Sequence, residues 1–282
     1  MSRNNKKRSG PQNNAGSEVV GSLPNPLDFI SPTEHVELPS KGRGYPEGHP
    51  LHDQETIEIK YMTAKEEDIL SSRNLLKKGL AIERLIESVI CDKNIAAREL
   101  LVGDRNAILI SARRSGYGNI YSTKISCPSC GNVGEHDFDL NESHIYEGKD
   151  HDKYDIEVTP QGLFKVTLPI TNFVVEYRLL RGQDEIEMVK RAQKNAKQKV
   201  EEQNVSDQLK KFVVSVNGYK ESKVINHAID NMPAQDSIFL RGAYKVSSPD
   251  IKISDDYSCS SCGFEQEPVS YTHLRAHETG RN

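Results

Sequence analysis

The hydrophobic positions change period several times along the chain, and the changes divide it. Apolar and polar residues alternate from 55 to 62, which predicts a strand with Ile57, Ile59 and Tyr61 on one face. At Thr63 the period lengthens. Thr63 and Glu66 have the spacing of a capping box, in which the hydroxyl takes a free amide and the carboxylate reaches back, so a helix is expected to about residue 72. The best-patterned helix follows: Ile82, Leu85, Ile86, Val89 and Ile90 fall at i, i+3, i+4, i+7 and i+8. A short helix is expected over 95–101, stopped at Gly103. Asp104 then reads as the N-cap of a helix to about Arg113 that turns Ile108, Leu109 and Ala112 inward and ends at the SGYG run of 115–118.

Strand-like residues fill 120–126, and 132–140 carries Val133, Phe138 and Leu140 as its apolar positions. The polar run 141–153 reads as a loop. Residues 155–158 and 163–168, joined around the PQG of 160–162, read as a hairpin, and 172–180 as a further strand. From 182 to about 203 a charged helix has only a thin apolar stripe, Ile186, Val189, Ala192, Ala196 and Val200; such a helix lies on the surface or meets a partner. Ser206 reads as the cap of a helix over 207–216. A last helix opens in 231–237, carries Ile238, Leu240 and Tyr244, and ends at the SSP of 247–249.

Two short motifs punctuate this pattern. Cys127, Cys130 and Gly131 form one Cys-x-x-Cys-Gly, and Cys259, Cys262 and Gly263 form another. Two residues between the cysteines let both thiolates reach one metal from a tight turn, and the glycine turns the chain back with positive φ. One such knuckle supplies two ligands, and a closed structural zinc site needs four. The four cysteines together are therefore expected to hold one structural zinc per chain. A thioredoxin-like redox pair would want a single motif opening a helix, and a disulfide pair would want a secreted chain. Four thiolates leave no open position for water or substrate, so catalysis at the metal is not expected.

The expected fold is α+β: an N-terminal helical part and a β-rich, partly helical insert, joined by a split four-cysteine zinc ribbon. The boundaries read as a disordered basic tail over 1–27, an α+β segment over 28–118, the first half of the ribbon over 119–140, an inserted segment over 141–250 and the second half over 251–267. Residues 268–282 show no strand alternation, and YTHLRAHET at 271–279 resembles translated adaptor sequence. They are set aside as a foreign tail, and a fourth ribbon strand is not expected from them.

Composition narrows the function. The formal net charge is −4, with no basic stripe and interleaved aromatics to advertise nucleic acid. No apolar run approaches the roughly 18 residues of a membrane span. The N-terminus has no apolar run of the signal-peptide kind, and the cysteine usage suits a reducing compartment. Cys91 ends an apolar helical run and reads as a small buried hydrophobe. Gly42-Arg43-Gly44 lacks the remainder of a phosphate loop, and His49 and His52 read as ordinary loop histidines. Acidic residues and histidines occur at no spacing that assembles acid–base chemistry, so no enzyme is expected.

A collinear series of motifs carries a resemblance. VELPSKG at 36–42 with Tyr45-Pro46, YMTAK at 61–65 with Glu67-Asp68-Ile69, LLKKG at 75–79, GDRNA at 103–107, the first knuckle, MPAQD at 232–236 and the final knuckle together resemble the T4-type bacteriophage baseplate hub protein family. The resemblance implies a structural or assembly protein of a contractile tail's central hub, with no reaction of its own. It implies protein partners: other hub and tail components, with the tape-measure protein among the candidates. It places the protein in the host cytoplasm during assembly and in the tail baseplate of the virion. The loop 41–52 and the charged helix 182–203 are the candidate partner surfaces. The rival reading is a zinc-ribbon nucleic-acid-binding or transcription-related phage protein.

Overall fold

The structure is a computed structural model that describes residues 30–198 and 204–271. The basic cluster of Arg3, Lys6, Lys7 and Arg8, Val200 of the charged stripe, and the tail beyond 271 lie outside the described residues.

Strands β1 (Thr33–Glu37) and β2 (Thr56–Lys60) pair antiparallel, with Val36 opposite Ile57. Ile57 and Ile59 are buried as their alternation requires, but Tyr61, one residue past the strand, is 38% exposed. Helix α1 (Ala64–Ser71) begins with the expected capping box of Thr63 and Glu66. Helix α2 (Arg73–Lys78) stops at Gly79, whose φ of +67° continues no helix. Helix α3 (Ala81–Val89) turns Leu85, Ile86 and Val89 onto β2 and onto Ile108 and Ala112 of α4 (Val102–Tyr117).

Two expectations fail here. The stretch 95–101 holds only a 3-10 turn, Ala97–Glu99. Gly103 does not stop a helix and Asp104 does not cap one: both lie inside the first turn of α4, where Leu101 occupies the N-cap position. An added Cβ on Gly103 would stand 2.0 Å from the Pro249 carbonyl oxygen, so the glycine serves a close crossing of two chain segments.

The second body is a four-stranded antiparallel sheet in the order β6 (Glu157–Val158), β7 (Phe164–Thr167), β8 (Val174–Tyr177) and β9 (Val213–Val216). The predicted hairpin and third strand are its first three members. Helices α5 (Gly182–Gln198), α6 (Asn204–Phe212), α7 (Ser222–Asp230) and α8 (Ala234–Ser247) surround it. Val166, Leu168, Val175, Tyr177, Leu209, Phe212 and Leu240 form the centre of its core. Ser206 lies within α6 rather than capping it, and 213–216 is a strand rather than the end of a helix. Helix α7 was not anticipated, and Ile238 of α8 points outward at 61% exposure.

The cysteine motifs sit at the tips of two hairpins. Strands β3 (Ile120–Ser126) and β4 (Val133–Asp139) pair from Ile120 opposite Asp139 to Ser126 opposite Val133. Strand β10 (Asp250–Ser258) pairs with β11 (Glu265–Tyr271) on one side and with β5 (His144–Tyr146) on the other. β5 lies in the run expected to be a loop. β11 is the fourth strand that alternation did not predict: backbone pairing with β10 carries it, and Pro268 falls where the register shifts between Asp255 and Tyr257, a place that tolerates a missing N–H. A small cluster of Ile110, Tyr121, Phe138, Leu140 and Ile253 seats α4 against both hairpins.

Candidate metal centre

The two knuckles have the same local construction. The Cys127 N–H donates to the Asn132 carbonyl at 2.8 Å, and the Gly131 N–H donates to the Cys127 carbonyl at 2.9 Å. The Cys259 N–H donates to the Phe264 carbonyl at 2.9 Å, and the Gly263 N–H to the Cys259 carbonyl at 2.9 Å. Gly131 and Gly263 have φ of +72° and +68°, the left-handed turn that glycine takes without strain. Hairpin pairing therefore closes each knuckle, and the sulfurs project from its tip.

The structure brings all four predicted cysteines together across more than a hundred residues of sequence. Their sulfurs all lie within 4.8 Å of one another. Cys127 faces Cys262 at 3.8 Å, and Cys130 faces Cys259 at 3.8 Å. All four thiols are free, at separations far beyond a disulfide bond of about 2.05 Å. Cys127 and Cys259 are buried, whereas Cys130 and Cys262 face solvent. Tyr257, with Ile125 and Phe264 partly buried beside it, closes the inner side of the cluster.

The electrostatics suit a cation. The backbone N–H groups of Ser261 and Cys262 hold the Cys259 thiol down to about 6, which favours its thiolate. For Cys130, the Asn132 N–H pulls the same way, but the thiols of Cys262, Cys127 and Cys259 outweigh it and push the group up to about 12. Burial, with Cys259 beside it, pushes the Tyr257 phenol up to about 12. Four sulfurs this close cannot all ionise alone, and a divalent ion among them removes the conflict. The cluster can hold a metal, and four protein ligands leave no position for a reacting molecule.

The other sequence candidates lie apart from it. His49 stacks on Tyr45 with ring centroids 4.7 Å apart, and the His52 ring nitrogen meets the Tyr45 carbonyl at 2.8 Å; both belong to their loop. Cys91 is half-buried beyond the end of α3 and outside the cluster. The loop 41–52 is less free than its composition suggests, because Tyr45 and Leu51 are buried in the first core. Sequence reasoning missed the Tyr257 collar. Its signal was the matched position of Ile125 and Tyr257, each two residues before a knuckle.

The family model described as T4 bacteriophage base plate protein matches residues 31–276, most of the chain. No curated protein and no solved structure matches it.

Proposed function

Because the chain belongs to the T4 bacteriophage base plate protein family, we propose that it is a structural or assembly component of the baseplate hub, with one structural zinc held by Cys127, Cys130, Cys259 and Cys262. Baseplate membership gives the coarse role: a phage tail protein whose partners are other tail and baseplate proteins. The hub position rests on the collinear motif series.

The arrangement of the sulfurs carries the zinc reading. A tetrahedral site with zinc–sulfur bonds of about 2.3 Å has sulfur–sulfur edges of about 3.8 Å. Both facing pairs stand at 3.8 Å. A bound zinc would hold the two hairpins together and supply folding free energy rather than chemistry. Each hairpin leads back to a different core: β3 follows α4 of the first, and β10 follows α8 of the second.

The partner surface we favour is the outer face of α5. Its first turn is anchored, with Asp184 and Glu185 buried, but Glu187, Lys190 and Lys194, at i, i+3 and i+7 on one side of the helix, are exposed. The exposed part of the loop 41–52, at Arg43 and Pro46 to Gly48, is the second candidate. The test is baseplate assembly in an extract lacking this protein, supplied with purified chain or with Cys127→Ser. The wild type should restore baseplates and the variant should lose zinc, solubility and assembly together. A soluble, zinc-free variant that still assembles would overturn the reading.

A further inference from the structure

We infer that residues 33–139 and 164–271 are two copies of one unit, and that the four-cysteine site is the joint at which the copies meet, each supplying half of the ligands. The order of elements is the same in both. A hairpin (β1–β2, β7–β8) is followed by a capped helix (α1, α5), a core helix (α3, α6), a long helix (α4, α8) and a knuckle hairpin (β3–β4, β10–β11).

Fixed sequence intervals relate the two. Val36, Leu38 and Pro39 stand to Val166, Leu168 and Pro169 at one interval. Ile57, Ile59, Lys60 and Glu66 stand to Val175, Tyr177, Arg178 and Asp184 at a second, and Ile86, Val89 and Ile90 to Leu209, Phe212 and Val213 at a third. A fourth takes Asp104, Ile108, Tyr121, Cys127 and Cys130 to Asp236, Leu240, Ile253, Cys259 and Cys262. The cysteines aside, every apolar side chain among these pairs except Pro169 is buried. The intervals change only between the blocks, where the first copy has the long loop 41–55, and the second has α5 in place of the shorter α1 and α2 and then the added α7.

Buried periodicity alone could align two unrelated cores. It does not explain four polar and backbone devices that recur at the paired positions. Lys60 pairs with Glu66 at 2.9 Å, and Glu66 accepts the Thr63 N–H at 3.0 Å; Arg178 pairs with Asp184 at 2.7 Å, and Asp184 accepts the Arg181 N–H at 2.9 Å. Ile59 bridges antiparallel to Ile90, as Tyr177 pairs antiparallel with Val213. Asp104 accepts the Ser40 N–H at 3.0 Å and its hydroxyl at 2.7 Å; Asp236 accepts the N–H of Ile170, at the position matching Ser40, at 2.8 Å, and the hydroxyl of the next residue, Thr171, at 2.7 Å. Each aspartate is the third residue of its long helix and pins the turn of its own copy's hairpin.

The knuckles are the fourth device, and they place the joint. Exchanging the copies turns the pair Cys127–Cys262 into Cys259–Cys130, and both pairs stand at 3.8 Å. The site is locally two-fold, with one buried and one exposed thiol from each copy. The symmetry stops there. On α4 the face at Ile110 is met by β10, whereas the matching Gly242 of α8 lies under the Tyr154 ring. The joint rests on the zinc reading given above; the duplication does not.

Hydrogen exchange of the intact chain, before and after zinc chelation, tests both parts. Chelation should speed exchange in both knuckle hairpins by at least about tenfold and to the same extent, leaving β2 and β8 protected. Loosening of one hairpin alone would overturn the joint, as would a wild-type chain without zinc. The duplication is read separately from Asp104→Asn and Asp236→Asn, neither of which touches the metal. Each should open the hairpin turn of its own copy, at Ser40 and Gly42 or at Ile170 and Thr171, by a similar factor. One turn opening while the other stays protected would overturn it. If either variant fails to fold, Ser40→Ala and Thr171→Ala remove one hydroxyl from each copy and give the same comparison.

Discussion

The Asp104 carboxylate holds Ser40 by two hydrogen bonds, from the backbone N–H at 3.0 Å and from the side-chain hydroxyl at 2.7 Å. The Tyr45 hydroxyl donates to the same carboxylate at 2.7 Å, and accepts the Leu101 N–H at 3.0 Å. Burial pushes the Asp104 carboxyl up, against the hydrogen bonds that favour its charge. Asp104→Asn presents an amide N–H₂ to groups that themselves donate. It should lower stability by about 2–3 kcal/mol, read as a shifted urea midpoint at unchanged slope. A midpoint within error of wild type would show that the loop is held by its apolar contacts alone.

Glu66 gives the acid limb of the stability profile. Burial opposes its charge, but hydrogen bonds from Ser88, Thr63 and Lys60 outweigh burial and hold it at about 2, against an ordinary value of 4.5. A depressed carboxyl contributes stability above its ordinary value and loses it as pH falls through the folded one. The melting-temperature gap between wild type and Glu66→Gln should therefore be flat near neutral pH and close as pH falls from 4.5 towards 2. After allowance for solvent screening the plateau should correspond to about 2 kcal/mol of stability. A gap that widens in acid would contradict the assignment.

Gly103 should tolerate no side chain. Gly103→Ala brings a Cβ to 2.0 Å from the Pro249 carbonyl oxygen, backbone that cannot rotate aside. A loss of about 3 kcal/mol is expected. Gly134→Ala is the control: nothing lies within 4 Å of the added Cβ, at the second residue of β4. Alanine there should be neutral or slightly stabilising. Equal melting temperatures for the two variants would remove the steric account of Gly103.

Much of this was legible in the sequence, for identifiable reasons. Knuckles are local, so Cys127, Cys130, Cys259 and Cys262 could be named from spacing alone. The capping box of Thr63 and Glu66 and the alternation of Ile57 and Ile59 are equally local. What failed was tertiary. An aspartate ahead of an apolar run reads as a cap, and only the distant Ser40 turns Asp104 into a buried pin. Leu209, Phe212, Val213 and Val216 fit a helical spacing, but pairing with β8 draws the last two into a strand. β5 and β11 are short or irregular and exist through β10, which supplies their backbone partners. The repeat is hidden in the sequence because its intervals shift at each loop, and few side chains are identical across the pairs.

Cys91 separates a general thiol effect from a site effect. Burial raises its thiol, and it lies outside the sulfur cluster. Cys91→Ser should keep full metal content, whereas Cys262→Ser, solvent-facing but within the cluster, should lose it. The check is metal analysis of the two purified proteins. Equal metal in both would mean that the cluster is not where the ion binds.

The most direct measurement is native mass spectrometry of the intact chain, set against the same sample denatured. The account predicts one zinc per chain in the native spectrum, lost on denaturation, with five free thiols then titratable. A native mass without metal, or a deficit from disulfides among Cys127, Cys130, Cys259 and Cys262, would contradict it.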